Sequence, residues 1–396
     1  MKIGLVCPYS MARGGAVQEI VRAMRKELIA RGHDAKIITP QPKDIDHVDT
    51  EGIIFVGSQA DFHSPLGTTT DVSTRFDNEA LEQMLENERF DILHFHEPWQ
   101  PFLSRQLLMY STSVNIATFH AKIPETLVAR TVINMVTPYT KPLLKYLDEL
   151  VAVSEPAAEY VSTLTNQPIS IIPNAIHLDE WPASQRSFDP KGPLNILFLG
   201  RLEKRKGVKY LLQAYALLEQ RMDNVSLTIA GKGPDQEKLE TLAEELELRN
   251  VQFVGYVDDA TKKQLFANAD MFCAPAIYGE SFGIVLLEAM SSGLVTVAGN
   301  NSGYASVLQE TGAISVVNPR DSEEFARRLE LLLTQPKLRD LWRTWAFDYV
   351  KQFDYKSVLD QYEALYSEAL KQHKKSPKTA ASRRKEHAQA KRNKTA

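Results

Sequence analysis

The chain has 396 residues, 43% of them hydrophobic and 24% charged, which is the composition of a soluble globular protein too long for one ordinary core. Two cysteines, Cys7 and Cys273, exclude a disulfide framework and agree with a reducing, cytoplasmic setting. No run reaches the ~18 apolar residues of a membrane span, and the formal net charge is −4.

In chain order, "KIGLVCPY" is a short apolar run stopped by Pro8, too short for a secretory leader, and reads as a first strand. In "GAVQEIVRAMRKELIARG" the residues Val17, Ile20, Val21, Met24 and Leu28 recur at helical spacing, and Gly32 closes the helix before the strand "DAKIITP". Gly14 and Gly15 open that helix. Adjacent glycines there admit an anion to the helix N-terminus, but the G-x-G-x-x-G spacing is absent and a tight structural turn is equally open. "DID" at 44–46 imitates an acidic metal-binding motif, yet it adjoins no strand pattern and reads as a solvated loop.

"DNEALEQMLENE" (77–88) is an acidic helix, and "FDILHFH", "VNIATFH" and "ELVAVS" are further strands. Ser154, ahead of Glu155 and Pro156, reads as a helix cap rather than a nucleophile. His94, His96, Glu97 and His120 suggest a zinc site only loosely, because the spacing of common zinc ligands is missing; packed histidines are the simpler reading. The βαβ alternation implies a parallel sheet covered on both faces.

The Pro-rich stretch 173–193 interrupts the pattern, which restarts with "LNILFLG", "VSLTIAG", "VQFVG", "ADMFCAPA" and "LVTVAG". The expected fold is therefore α/β, two Rossmann-like doubly wound domains facing an interdomain cleft, with ligands beyond the carboxyl ends of the strands. The expected boundaries are 1–172, a linker at 173–193, and 194–345. A helix at 346–371 is expected to pack back on the first domain, ahead of a disordered basic tail at 372–396. Residues 371–396 hold ten Lys or Arg against one acid, a local charge of +9 that leaves −13 for the rest. A solvated tail and attachment to an anionic membrane surface are both open readings; no specific nucleic acid is expected.

The second half carries the stronger chemistry. In "FLGRLEKRKGVKYLL", Arg201 and Lys206 bracket a strand-to-helix junction, an arrangement suited to a diphosphate. In "YGESFGIVLLEAM", Glu280 precedes a helix N-terminus whose amides at Ser281, Phe282, Gly283 and Ile284 can hold phosphate oxygens. Glu288 lies in the second turn. Two carboxylates with a phosphate cradle between them match the order of parts in a nucleotide-sugar, which has a polyol at each end of a diphosphate.

Together with "GGAVQEIV", "FHEP", "IPNAI" and "GKGPDQEKL", these segments resemble the retaining family-four glycosyltransferases of the GT-B fold over about residues 1–370. The wording is most similar to that of the bacterial phosphatidylinositol mannosyltransferases. The resemblance implies a nucleotide-sugar donor, GDP-mannose, and a lipid or glycan acceptor, with no metal or cofactor required. It implies that Gly15 lets the chain approach the donor phosphates, that Arg201 and Lys206 stabilise the departing diphosphate, and that Glu280 holds the transferred sugar and Glu288 the ribose. Gly231, Lys232 and Val254 would border the base. His120 would sit by the reacting sugar, and Tyr9, Gln18 and Arg75 with it on the acceptor side.

The sequence departs from that pattern at two places bearing on the acceptor. "STRFDNEALEQMLENERF" is acidic where the lipid-using relatives have a basic surface helix, and Glu125 stands where a Lys is expected. The alternatives carried forward are a UDP-sugar-dependent transferase acting on a glycan or another glycolipid, a nucleotide-sugar epimerase or phosphorylase, and a non-catalytic sugar-nucleotide-binding partner. The missing fingerprint disfavours an NAD-linked oxidoreductase.

Overall fold

The computed structural model describes residues 1–12, 14–42, 49–63, 69–75, 77–99, 102–123, 127–181 and 188–375, with the backbone alone at 58–63, 69–75, 127–130, 132, 136 and 375. "DID" and Glu125 lie outside the described residues. The chain divides into two compact units, Met1–Pro173 with Val358–Ala396, and Asn174–Ser357.

The first unit begins with β1 (Lys2–Val6), α1 (Ala16–Ala30), β2 (Asp34–Gln41), β3 (Ile53–His63), β4 (Thr69–Arg75) and α2 (Asn78–Glu88). It continues with β5 (Ile92–His96), α3 (Leu103–Tyr110), β6 (Val114–Phe119), α4 (Leu127–Thr140), β7 (Glu149–Ala152), α5 (Glu155–Ser162) and β8 (Ile169–Ile171). The eight strands run in the order β4-β3-β2-β1-β5-β6-β7-β8. Strands β1, β5 and β6 are central, and β5 and β6 are buried at every position, which is why they read as continuous apolar runs. The expectation of a parallel sheet needs one correction. Strand β4 runs antiparallel to β3 at the sheet edge, where a hairpin needs no crossover helix.

Helix α1 shows how the pattern dictates packing. Val21, Met24 and Leu28 are buried on one face, and each such side chain contributes roughly 1.5–3 kcal/mol. The helix ends where the Gly32 amide donates to Ile29 at 2.9 Å and the His33 amide to Leu28 at 3.0 Å, satisfying two terminal carbonyls. At α5, Ser154 is the predicted cap, accepting from the Ala157 amide at 3.2 Å.

The second unit contains β9 (Leu194–Leu199), α6 (Val208–Glu219), β10 (Val225–Ala230), α7 (Gln236–Glu245), β11 (Val251–Gly255), α8 (Asp259–Asn268) and β12 (Met271–Ala274). Then come α9 (Ile284–Ser291), β13 (Val295–Gly299), α10 (Ser302–Val307), β14 (Val316–Val317), α11 (Ser322–Thr334), α12 (Pro336–Tyr349) and α13 (Tyr355–Lys375). Its six strands are all parallel, ordered β11-β10-β9-β12-β13-β14. Residues 174–181 are built into this unit: the Ile176 amide donates to Phe353 at 2.9 Å, and Trp181 meets Phe266 edge-on at 5.3 Å.

From Val358 onward α13 belongs to the first unit. There Tyr362 and Tyr366 are buried, and Arg31 pairs with Asp360 at 2.6 Å and with Glu363 at 2.7 Å. Helix α13 takes in 372–375, which composition alone assigned to a disordered tail. Extending an existing helix adds one bond per residue fixed and avoids the nucleation cost. No helix among the described residues is long and apolar enough to cross a membrane.

Candidate active site

In the second unit the strand order reverses between β9 and β12, and doubly wound sheets hold ligands beyond the carboxyl ends at such a point. Strand β9 delivers the loop through Arg201 and Lys206, and β12 delivers the loop through Glu280. The loops are stitched together: the Ile277 amide donates to the Arg205 carbonyl at 2.9 Å. Gly207, at φ +73°, lies so near Pro275 that a Cβ would fall 2.0 Å from its carbonyl oxygen, so only glycine fits.

Glu280 is the focus of charge. Its Oε1 accepts from Arg205 Nη1 at 2.6 Å and lies 2.8 Å from Lys206 Nζ, with 12% of the side chain exposed. Arg205 also donates from Nε to Glu203 at 3.0 Å. Burial works against the Arg205 charge, but Glu280 and Glu203 outweigh it and hold the guanidinium above its ordinary range. Arg201 is 62% exposed, and its Nε lies 2.8 Å from the other Glu203 oxygen as an ion pair. Arg201, Glu203, Arg205, Glu280 and Lys206 thus form one string of alternating sign. The sequence reading found the ends and Glu280 but missed Glu203 and Arg205. Their signal was the crowded "EKRK" run, and only the tight turn at Lys204–Lys206 folds it onto the acid.

A cradle the sequence reading also missed supports the Glu280 loop. A Cβ on Gly303 would fall 2.1 Å from the Glu280 carbonyl oxygen. Asn301 donates to the Ala276 carbonyl at 2.9 Å and accepts from the Tyr304 amide at 3.0 Å, capping α10. The Tyr304 ring is buried under Gly283, the residue that opens α9 at φ +114°. Phe282 is buried and meets Phe353 edge-on at 5.7 Å, so its side chain anchors the loop. The first-turn amides of α9, from Gly283 and Ile284, have no preceding turn of helix to bond, the kind of place that suits an anion.

Glu288, one turn further on, pairs with Lys262 of α8 at 2.6 Å. Burial pushes its carboxyl up despite that cation. Lys262 lies over the Trp181 ring, 5.0 Å from its centroid, so the pair is fixed from below. Gly231 and Gly233 have a structural use: a Cβ on either would strike the backbone of Gly200 or Leu202, at 1.9 and 2.3 Å. Lys232 is exposed and reaches towards Gly255, and Val254 is half-buried in β11.

The first unit reverses its strand order between β1 and β5. Gly15 is the N-cap of α1 in an extended conformation at φ −179°, open to any residue, and the Gln18 carboxamide lies over it. Gln18 donates to the Ser10 carbonyl at 3.4 Å, and the Tyr9 carbonyl accepts from the Thr39 hydroxyl at 2.8 Å. Arg75 ends β4, and its side chain lies outside the described residues.

His120, directly after β6, is buried and its Nε2 lies 2.9 Å from His96 Nδ1. Glu97, after β5, accepts from the amides of His120 at 2.5 Å and Ala121 at 2.7 Å, and from the Trp99 indole. Burial pushes the Glu97 carboxyl up to about 7, although those donors pull the other way. Both His94 nitrogens are taken by hydroxyls, Tyr366 and Thr118, each at 2.7 Å. The histidines are a hydrogen-bonded stack, with burial holding His94 down at about 3. Cys7 and Cys273 are buried free thiols, the former raised by burial to about 12.

Two doubly wound α/β units in one chain are the architecture of a GT-B fold, and the comparisons with known proteins agree. The family described as Glycosyltransferase Family 4 matches residues 14–180, and the one described as Glycosyl transferases group 1 matches residues 179–347. The chain belongs to the family-4 glycosyltransferases of the GT-B fold. Among particular relatives, it is 32% identical to the phosphatidyl-myo-inositol mannosyltransferase of Mycobacterium leprae, over 92% of this chain and 96% of that one. The enzyme of the same name from Propionibacterium freudenreichii is 30% identical over 93% and 95%. Of solved structures, sucrose-phosphate synthase from Thermosynechococcus elongatus superposes with a TM-score of 0.73 at 20% identity, covering 93% and 98%. A glycosyltransferase from Rickettsia africae gives 0.72 at 17% identity, covering 93% and 98%.

Proposed function

We propose that this glycosyltransferase moves mannose from GDP-mannose to a hydroxyl of a membrane lipid, with phosphatidylinositol the first acceptor to try, and with retention of the anomeric configuration. The observation that carries the reading is the Glu280 carboxylate held by Arg205 and Lys206 beside the amides of α9. The names of the relatives support the mannosyl donor and the lipid acceptor.

Breaking the sugar–phosphate bond puts positive charge on the anomeric carbon and negative charge on the diphosphate. Lys206, Arg205 and Arg201 are placed to take up the second, and the α9 amides add fixed dipoles that need no reorganisation. As the diphosphate draws the cations, Glu280 is released to accept hydrogen bonds from sugar hydroxyls. Glu288, its charge balanced by Lys262, accepts from the ribose hydroxyls. The cations supply the charge a divalent ion supplies elsewhere, so no metal or cofactor is required in this reading. His120 lies by the transferred sugar, with Tyr9, Gln18 and Arg75 on the acceptor side and Gly15 at the donor phosphates. The protein works on the inner, cytoplasmic face of the membrane as a peripheral enzyme.

The test offers labelled GDP-mannose, GDP-glucose, UDP-glucose and UDP-N-acetylglucosamine to the purified chain, with phosphatidylinositol vesicles or soluble glycans, with and without EDTA. Label from GDP-mannose alone in the lipid fraction, α-linked and EDTA-insensitive, is expected. Transfer from a UDP-sugar, or into glycan only, would replace this reading with the UDP-sugar alternative.

A further inference from the structure

The segment that leaves β5, His96 to Trp99, grips the segment that leaves β6, Phe119 to Ala121, from several sides. The Glu97 amide donates to the Thr118 carbonyl at 2.9 Å, and the Phe119 carbonyl accepts from the Val153 amide at 3.2 Å. Past those rungs β6 has ended, and a side chain takes over. Glu97 Oε1 accepts from the His120 amide at 2.5 Å and from the Ala121 amide at 2.7 Å. Its Oε2 accepts from the Trp99 indole. The Trp99 ring in turn lies against Phe119, with centroids 4.5 Å apart, and against Tyr160 of α5 at 5.3 Å. The His96 ring stacks on that of His120, with planes 17° apart and centroids 5.2 Å apart.

Glu97 is 2% exposed, and its three partners are all N–H donors, so both carboxylate oxygens serve as acceptors. Without it the buried His120 amide would lose its acceptor inside the protein, a state folded chains seldom tolerate. Glu97 holds this place at φ +51°, in the left-handed region that few non-glycine residues occupy. Such a conformation persists where the surroundings over-determine it, and residues of this kind gather at functional sites. Here its amide, both its oxygens and the neighbouring indole ring all fix it, and the backbone that it fixes in return is that of His120.

We infer that Glu97 is a positioning residue for His120: with Trp99 it clamps the backbone of 119–121, so that the His120 ring stands in one place at the carboxyl end of β6. The inference rests on the reading of His120 as lying by the transferred sugar, because a fixed backbone matters to turnover only if that ring does. A ring at a strand end is placed no better than its own Cα, and a misplacement of about 1 Å can cost ~10²-fold in rate.

The test is a double-mutant cycle in the full-length protein, with GDP-mannose and phosphatidylinositol vesicles, beside hydrogen exchange of the His120 amide. In Glu97→Met, which removes both oxygens, turnover is expected to fall roughly tenfold to a hundredfold with the donor KM within about twofold. Glu97→Gln keeps an oxygen for both amides and should return turnover to within about threefold of the wild type. In a His120→Ala background, Glu97→Met should cost less than about twofold more, since it acts through a ring already gone. Losses that simply multiply, normal turnover in Glu97→Met, or a Glu97→Gln as slow as Glu97→Met would each overturn the role of Glu97. Should Glu97→Met fail to fold, Glu97→Asp, which withdraws the oxygens by one methylene, takes its place in the cycle. The amide measurement needs no activity: slow exchange is expected in the wild type, at least about tenfold faster in the Met or Asp variant, and fast exchange in the wild type overturns the clamp. Normal turnover in His120→Ala is a different failure, sinking the reading of His120 and the positioning role with it.

Discussion

Glu280 illustrates how a single carboxylate can serve two states. It neutralises Arg205 and Lys206 here, and in the proposed reaction it turns to the sugar. Glu280→Gln keeps the shape and removes the charge that positions both cations, and Lys206→Ala removes a cation that the proposed mechanism sets against the leaving group. Turnover in either variant is expected to fall by about two to three orders of magnitude, with melting temperature nearly unchanged. Steady-state assays beside a thermal scan check this, and near-normal turnover refutes the role. Lys262→Met should behave differently. It leaves the buried Glu288 without its cation, so the donor KM should rise about tenfold or more while kcat changes little.

Glu97 predicts a pH dependence with a definite sign. Its folded pKa is raised from the ordinary carboxylate value of 4.5 to about 7 by burial. The stability linked to it is therefore complete below about pH 4.5 and is lost as the pH rises through about 7, by a few kcal/mol. Glu97→Gln cannot ionise, and its thermal stability should decline less than that of the wild type between pH 5 and pH 8. Parallel curves would mean that Glu97 is ionised throughout that range. At this scale the sequence showed Arg201, Lys206, Glu280 and Glu288 because they follow strand ends. Arg205 and Lys262 did not stand out, since nothing local says which acid each will meet, and Glu97 was read only with the histidines of a loosely suggested zinc site.

At the scale of elements, central strands and their helices were legible because buried strands leave apolar runs and α1 leaves a 3.6-residue stripe. The β3–β4 hairpin was not, because an edge pair with one polar face carries a weak pattern and its partner strand is chosen by contacts between segments. The segment 299–304 was read no further than the strand ending at Gly299. Its importance appears when Gly303 is seen to leave no room above the Glu280 carbonyl, where a Cβ would sit 2.1 Å away. Gly303→Ala should therefore displace the Glu280 loop, lowering turnover sharply and stability by about 1–3 kcal/mol. A denaturant titration with an activity assay measures both. Wild-type values would show that the backbone there yields freely.

For the whole molecule, charge distribution is the property least tied to fold. Residues 376–396 contain seven Lys or Arg and one Glu. Each cation near an anionic surface contributes about 1 kcal/mol, so deleting this segment should weaken binding to phosphatidylinositol vesicles at low salt, while turnover with a detergent-dispersed acceptor stays unchanged. Sedimentation with vesicles at low and high salt tests it, and equal binding with and without the segment removes any membrane role for it.

By itself the sequence determined the α/β class, the doubly wound order of elements and the strand ends at which polar groups gather, because periodicity and turn chemistry are local. Only the tertiary structure decided which charges share a partner: Arg205 with Glu280, Lys262 with Glu288, and the last helix with the histidine stack. Those pairings join residues as many as 272 positions apart, His94 with Tyr366 being the widest. They depend on how loops and helices close over the sheets, a choice made by packing and desolvation rather than by any residue's neighbours in the chain.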